Sequence, residues 1–297
     1  MRMIQLILIL TVAGLGLASA QVRVAATLGF IADMVQNVGG QRVRVVQVVP
    51  NAADPHSFEP KPSVVREVAN AKLLFANGLG LEPFFEKLEA QLPKTARVVE
   101  LAEGMPGLLE GEEHAGEEGK GEDHAHGAYD PHLWLDPTYG VRYVEKIRDA
   151  LSQADPAGKA TYAANASRYV AEIRKADAEV VACLEPIPLA RRKLVSQHEA
   201  LGYFLRRYRI TSVGSIADFA GQERGPQRFA KLAQEMKKQG VKVVFAEPQF
   251  SQAEARALAE ATGARVKLIY SDAFDAAVNT YLKLIRANGK AVCEAFR

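Results

Sequence analysis

From residue 22 onward the chain alternates short β-rich runs with helical patterns, and it does so in two successive halves. Residues 22–27, 43–49, 72–76 and 97–101 read as strands, and 28–38, 62–70 and 82–91 between them carry apolar residues at three- and four-residue spacing. The second half repeats the theme, with strands expected near 193–196, 212–216, 241–246 and 265–270 and helices near 200–208, 226–239, 253–262 and 274–287. Pro62 and Pro83 sit where a first helical turn accepts proline. Strand and helix in alternation imply parallel sheets covered by helices, and two such halves imply an α/β protein of two Rossmann-like lobes.

Two segments break this rhythm. Residues 160–184 form a long helical stretch of alanine, charge and periodic apolar residues with no internal glycine or proline. Its place between the halves marks it as a rigid connector. The expected division is therefore an N-terminal lobe over 21–159, a connecting helix over 160–184 and a C-terminal lobe over 185–297. Residues 104–127 are rich in glycine, glutamate and histidine and nearly free of apolar groups after Leu109, so they are expected to form a loop outside either core.

The first 20 residues carry Arg2, an apolar run from Ile4 to Leu17 and the small-x-small triplet Ala18-Ser19-Ala20. This is the pattern of a cleaved secretory signal, with Gln21 the first residue of the mature chain. A membrane anchor is the competing reading, but the apolar run is shorter than the roughly 20 residues of a bilayer span and no stop-transfer charges follow. No cysteine lies near Ala20, so a periplasmic protein without a lipid anchor is expected. A formal net charge of +2, with no basic stripe interleaved with aromatics, argues against nucleic acid as a partner. The two cysteines, Cys183 and Cys293, are too far apart for a zinc knuckle and are open to two readings, one disulfide or two buried thiols.

The six histidines are the strongest chemical signal. His114, His124 and His126 lie in the acidic loop. The others stand in Asp54-Pro55-His56-Ser57-Phe58-Glu59-Pro60, Asp130-Pro131-His132-Leu133-Trp134-Leu135-Asp136-Pro137 and Ser196-Gln197-His198-Glu199-Ala200. Asp272, in Tyr270-Ser271-Asp272-Ala273-Phe274, is the fourth candidate. His56, His198 and Asp272 each follow an expected strand, and in open α/β sheets ligands bind outside the carboxyl ends of strands. Neutral imidazoles and a carboxylate suit zinc and similar first-row ions, and three histidines with one aspartate fill a tetrahedral shell. Any one histidine alone would be read as a hydrogen-bonded structural residue; the set carries the metal reading. Glu59 and Glu247 are reserve carboxylates, expected as supporting partners or surface and turn residues. Glu199 is expected at a helix start, facing the helix dipole.

These phrases resemble the periplasmic metal-binding proteins of zinc and manganese ABC importers, the ZnuA and TroA type, over nearly the whole mature chain. The first two histidine phrases and Gln197-His198-Glu199-Ala200-Leu201-Gly202-Tyr203-Phe204 are similar to the family's three histidine loops. Val243-Val244-Phe245-Ala246-Glu247-Pro248 resembles the strand beneath its cleft. The resemblance implies one long helix joining the lobes with little hinge motion, a single ion bound by His56, His132, His198 and Asp272, and a membrane permease as partner of a monomer.

The acidic loop bears on the choice of metal. Residues 110–126 hold seven carboxylates, three histidines and one lysine. A solvated linker is the plain reading; histidines among carboxylates point instead to a weak auxiliary metal site at His114, His124 and His126. Such loops in the resembling family go with zinc, and imidazole-rich sites favour zinc over manganese, the alternative cargo. A zinc hydrolase is the rival class, but four protein ligands would close the position a catalytic zinc keeps open, and neither His-Glu-x-x-His nor Gly-x-Ser-x-Gly occurs. A metal-storing surface adhesin is a further rival, disfavoured by the soluble export signal. No enzymatic activity is expected.

Overall fold

The structure, a computed structural model, describes residues 21–111, 128–217 and 225–297. The expected signal segment and His114, His124 and His126 lie outside the described residues. Strands β1 (Val22–Ala26), β2 (Val43–Gln47), β3 (Leu73–Ala76) and β4 (Arg97–Glu100) form one sheet in the order β2-β1-β3-β4. Strands β5 (Lys193–Ser196), β6 (Thr211–Ser215), β7 (Val243–Ala246) and β8 (Arg265–Leu268) form a second in the order β6-β5-β7-β8. Every pairing is parallel. The central strands β3 and β7 are buried along their whole length, as strands with both faces covered must be.

The helices are α1 (Gly29–Gly39), α2 (Pro62–Val68), α3 (Phe85–Glu89), α4 (Pro137–Ala154), α5 (Lys159–Leu184), α6 (Gly202–Tyr208), α7 (Pro226–Gln239), α8 (Ala253–Thr262) and α9 (Tyr281–Phe296). Helix α5 links the two α/β lobes. Its buried stripe, Tyr162, Ala166, Tyr169, Ile173, Ala176, Val180 and Leu184, recurs at three- and four-residue steps. That stripe packs on α1 and α4 in the first lobe and on α9 behind the second. Gly289 permits the α9 approach, because a Cβ there would stand 2.2 Å from Val180 Cγ2. Apolar contacts run continuously from Val24 through Tyr169 to Phe245 and Val292, so the connector is embedded in a shared core rather than spanning water. A large apolar interface of this kind restrains relative lobe motion.

Several local expectations need correction. The helix expected over 274–287 starts at Tyr281 and runs on to Phe296. Asp275 Oδ1 accepts the backbone N–H groups of Ala277 and Val278, and this local turn competes with helix formation until Thr280 caps the N–H of Lys283. Helix α4, absent from the expected set, begins where Asp136 accepts the Thr138 N–H at 2.9 Å and Pro137 takes the first helical position. Helix α3 is only five residues long and Pro83 precedes it, because Glu82 turns inward to cap the Asn77 and Gly78 N–H groups. Helix α6 begins at Gly202, so Glu199 is not at its start; its carboxylate instead accepts from the Ser215 hydroxyl at 2.8 Å. Cys183 and Cys293 are bonded, with Cα atoms 6.1 Å apart, and pin the end of α5 to α9.

Candidate metal centre

The carboxyl ends of both sheets face one cleft. His198 follows β5 by two residues, Glu247 follows β7 directly, Asp272 follows β8 by four, and His56 lies on the longer segment after β2. His132 reaches the same point from a short 3-10 turn, Leu133–Leu135, whose three side chains are all buried. Trp134 anchors that turn. Its ring stacks on Phe30 at 4.4 Å between centroids, and its indole N–H donates to Ser271 O at 3.0 Å, tying the first lobe to the residue before Asp272.

One ligand atom from each of His56, His132, His198 and Asp272 can be chosen so that all lie within 4.8 Å of one another. Asp272 is the hub. Its Oδ1 is 3.3 Å from His132 Nε2, and its Oδ2 is 3.3 Å from His198 Nε2 and 3.9 Å from His56 Nε2. Nε2 of His132, Nε2 of His198 and Oδ1 of Asp272 are buried and have no hydrogen-bond partner among the described residues. Buried polar atoms left unsatisfied in this way need an explanation, and an ion at their centre supplies one. The four residues singled out in sequence are thus brought together. Of the reserve acids, Glu59 is at the surface with Lys87 at 2.9 Å, whereas Glu247 is fully buried beside His198.

The far nitrogens of two imidazoles are held by carboxylates. His198 Nδ1 lies 2.7 Å from Glu247 Oε1, and His132 Nδ1 lies 2.7 Å from Asp130 Oδ1. Such contacts fix the tautomer that offers Nε2 to an ion and raise its basicity. Asp130 was not singled out from the sequence, although a signal existed. Asp54-Pro55-His56 and Asp130-Pro131-His132 share one turn, in which the aspartate Oδ1 accepts the histidine N–H at 3.0 and 2.9 Å. Ser271 donates to Asp272 Oδ2 at 3.0 Å and also contacts Glu247 Oε2, and Gln249 bridges the same two carboxylates. Replacing Glu247 by glutamine keeps an acceptor near His198 but removes the charge. Metal affinity should fall about 10–100-fold with the fold intact. Competition against a chromophoric chelator measures this, and an unchanged affinity would remove Glu247 from the site.

Protonation of this cluster opposes metal. Burial disfavours charged His132, yet the Asp272 carboxylate and the Asp130 hydrogen bond outweigh it and push the imidazolium up from 6.5 to about 9. Burial likewise opposes the charge on His198, and Glu247 with Asp272 raises it well above the ordinary value. Burial would raise Asp272, but the two imidazolium groups hold it well below the usual carboxylate range. The metal-free protein at neutral pH therefore carries protons where an ion needs lone pairs. Binding at pH 7 should release about two protons, and apparent affinity should climb as pH rises toward 9. The metal-free fold has the opposite dependence: stability from the raised His132 is present below 6.5 and lost as pH passes about 9. Calorimetric titration in buffers of different ionisation enthalpy counts the released protons; a count of zero would contradict the assignment.

Comparison with known proteins agrees with this chemistry. The family profile described as ZnuA, zinc-uptake complex component A, periplasmic, matches residues 24–295. A manganese ABC transporter substrate-binding lipoprotein of Streptococcus gordonii is 30% identical over 238 residues, covering 77% of this chain and 73% of that protein. An iron ABC transporter substrate-binding lipoprotein of Streptococcus pyogenes serotype M1 is 31% identical over 227 residues, covering 74% and 69%. A crystal structure of ZnuA superposes with a TM-score of 0.79 at 29% identity, covering 93% of this chain and 100% of that one. The buried cluster of imidazoles and one carboxylate is thus a candidate metal centre in a chain whose relatives are transport components rather than enzymes: this chain belongs to the ZnuA family, the metal-binding substrate-binding proteins of ABC importers.

Proposed function

We propose that this protein captures zinc outside the cytoplasm with His56, His132, His198 and Asp272 and delivers it to the membrane permease of an ABC importer. The observation that carries the choice of zinc is the division of labour on Asp272. Ser271 and Gln249 engage Oδ2, leaving Oδ1 as the one uncommitted oxygen. Three imidazole nitrogens and one oxygen make a tetrahedral set, the geometry zinc takes with protein ligands. Manganese is the second reading, favoured by the S. gordonii relative's name and by the proximity of Oδ2 to two imidazoles. It would need Oδ2 as a further ligand, because harder ions seek more oxygens. Elemental analysis of protein purified from cells grown without added metal tests this. Equimolar zinc is expected; equimolar manganese or iron overturns the zinc reading and leaves the family intact.

The proposal extends to the organisation of the chain. Residues 1–20 act as a cleaved signal, 21–159 as the N-terminal lobe, 160–184 as the connecting helix and 185–297 as the C-terminal lobe of a monomer. No helix among the described residues is long and apolar enough to cross a membrane. The two streptococcal relatives are named lipoproteins.

The proposal also includes the acidic loop as a weak collector through His114, His124 and His126. Its stem is ordered by an antiparallel bridge between Glu110 and Tyr129 and by the Asp130 N–H donating to Leu109 O at 3.0 Å, two residues before His132. Deleting residues 112–127 should leave the tight site and the melting temperature of the zinc-loaded protein nearly unchanged, since closure entropy varies slowly with loop length. Only the weaker binding of extra zinc should vanish from calorimetric titrations. Loss of the tight step instead would place a loop histidine among the primary ligands.

A further inference from the structure

The outer face of the first sheet carries a feature that metal capture does not use. A cavity of about 420 Å³ opens there, lined by Arg23, Arg44, Ser63 and Arg66, with Glu67 and Asn70 on its wall. Its floor is the flank of β1 and β2, and its side is the short helix α2. Arg23 and Arg44 are register partners on the two paired strands. Adjacent parallel strands lie about 4.8 Å apart, so two positive charges are held side by side on one face. The seven residues of α2 cover this face only in part, and all three arginines are exposed.

None of the three guanidinium groups forms an ion pair among the described residues, and neither does Glu67. Like charges directly opposite on paired strands cost stability, a cost that a bound anion would relieve. Here a strand–strand pair and a helix residue instead place three arginines around one concavity that also holds a single carboxylate, Glu67, leaving an excess of positive charge, with the Ser63 hydroxyl as a neutral donor. Planar guanidinium forks match the oxygens of a phosphate group, which can take several of them at once. The site also lies away from the cleft: Arg23 and Arg44 sit at the second position of their strands, whereas the metal residues follow the strand carboxyl ends.

The geometry points to a second binding site, for a phosphate group, on the cavity lined by Arg23, Arg44 and Arg66. The group comes either as a free phosphate ion or as the headgroup of an anionic phospholipid, which presents the same oxygens.

The test uses the full mature chain loaded with zinc. Inorganic phosphate and pyrophosphate are titrated by calorimetry, and co-sedimentation is measured with phosphatidylglycerol vesicles against phosphatidylcholine vesicles. Wild type is compared with R23Q/R44Q and with R66Q, variants at exposed positions whose zinc affinity should equal that of wild type. Saturable 1:1 binding of phosphate or pyrophosphate, weakened at least tenfold in R23Q/R44Q and less in R66Q, supports the site. Loss of phosphatidylglycerol co-sedimentation in the same variants assigns a lipid headgroup as the source; retention of soluble-anion binding without vesicle binding assigns a free ion. The proposal is overturned if wild type binds none of these probes. It is equally overturned if the variants bind as wild type does, which would move any anion binding elsewhere.

Discussion

Replacing His132 with alanine is expected to lower zinc affinity by more than about 100-fold, beyond the range seen when only supporting groups are lost. Two losses combine. One of four proposed ligand atoms disappears, and the Asp130 contact that holds its imidazole in place goes with it. The remaining three groups cannot close a tetrahedron without water, and the buried Asp272 carboxylate loses its nearest partner on the Oδ1 side. Far-ultraviolet circular dichroism of the metal-free variant should match wild type, because Trp134 and its stacking on Phe30 stay in place. Competition titration against a zinc chelator gives the affinity. Zinc binding as tight as wild type would mean that this cluster is not the site.

Breaking the bond between Cys183 and Cys293 should have the largest effect on stability. The bridge closes a sequence separation of 110 residues, for which the chain-entropy model gives about 4–5 kcal/mol. In a chain of this size that corresponds to a fall of roughly 10 °C in melting temperature. The C183A/C293A double variant should show this fall, and wild type treated with reductant should follow it. Metal affinity should hardly change, since the bond lies in the α5–α9 contact and not in the cleft. Equal melting temperatures for variant and wild type would show that the pairing adds nothing to folding.

The architecture was legible because its signals are local. Runs such as Leu73–Ala76 and Val243–Ala246 are apolar at every position and β-rich, as a short strand covered on both faces is. Helix α5 was legible to within one residue for a similar reason: its apolar stripe keeps helical spacing over 26 residues without interruption. The failures came where a side chain satisfies the backbone locally. Asp275 holds residues 277 and 278 in a turn, which delays α9 until Tyr281 although the apolar pattern starts earlier. Glu82, read as helical, is drawn inside to serve Thr27, Asn77 and Gly78, because three donors converge on a carboxylate that burial would otherwise penalise.

The candidate site divides in the same way. By itself the sequence determined its chemistry: three histidines outside the acidic loop, each in a distinctive phrase, and an aspartate after the last strand, a donor set that suits zinc. Residue types fix which ions a set of atoms can hold, and that information is present in one dimension. Convergence is not, because residues 56, 132, 198 and 272 are too far apart in sequence to form a single local motif. Only the tertiary structure decided that four atoms from both lobes meet within 4.8 Å, that Asp130 and Glu247 and not Glu59 hold the imidazoles, and that Cys183 meets Cys293. The reason is that each depends on the distance between segments far apart in sequence. That distance is set by how the two sheets pack about α5, a property of the assembled core and of no single stretch of chain.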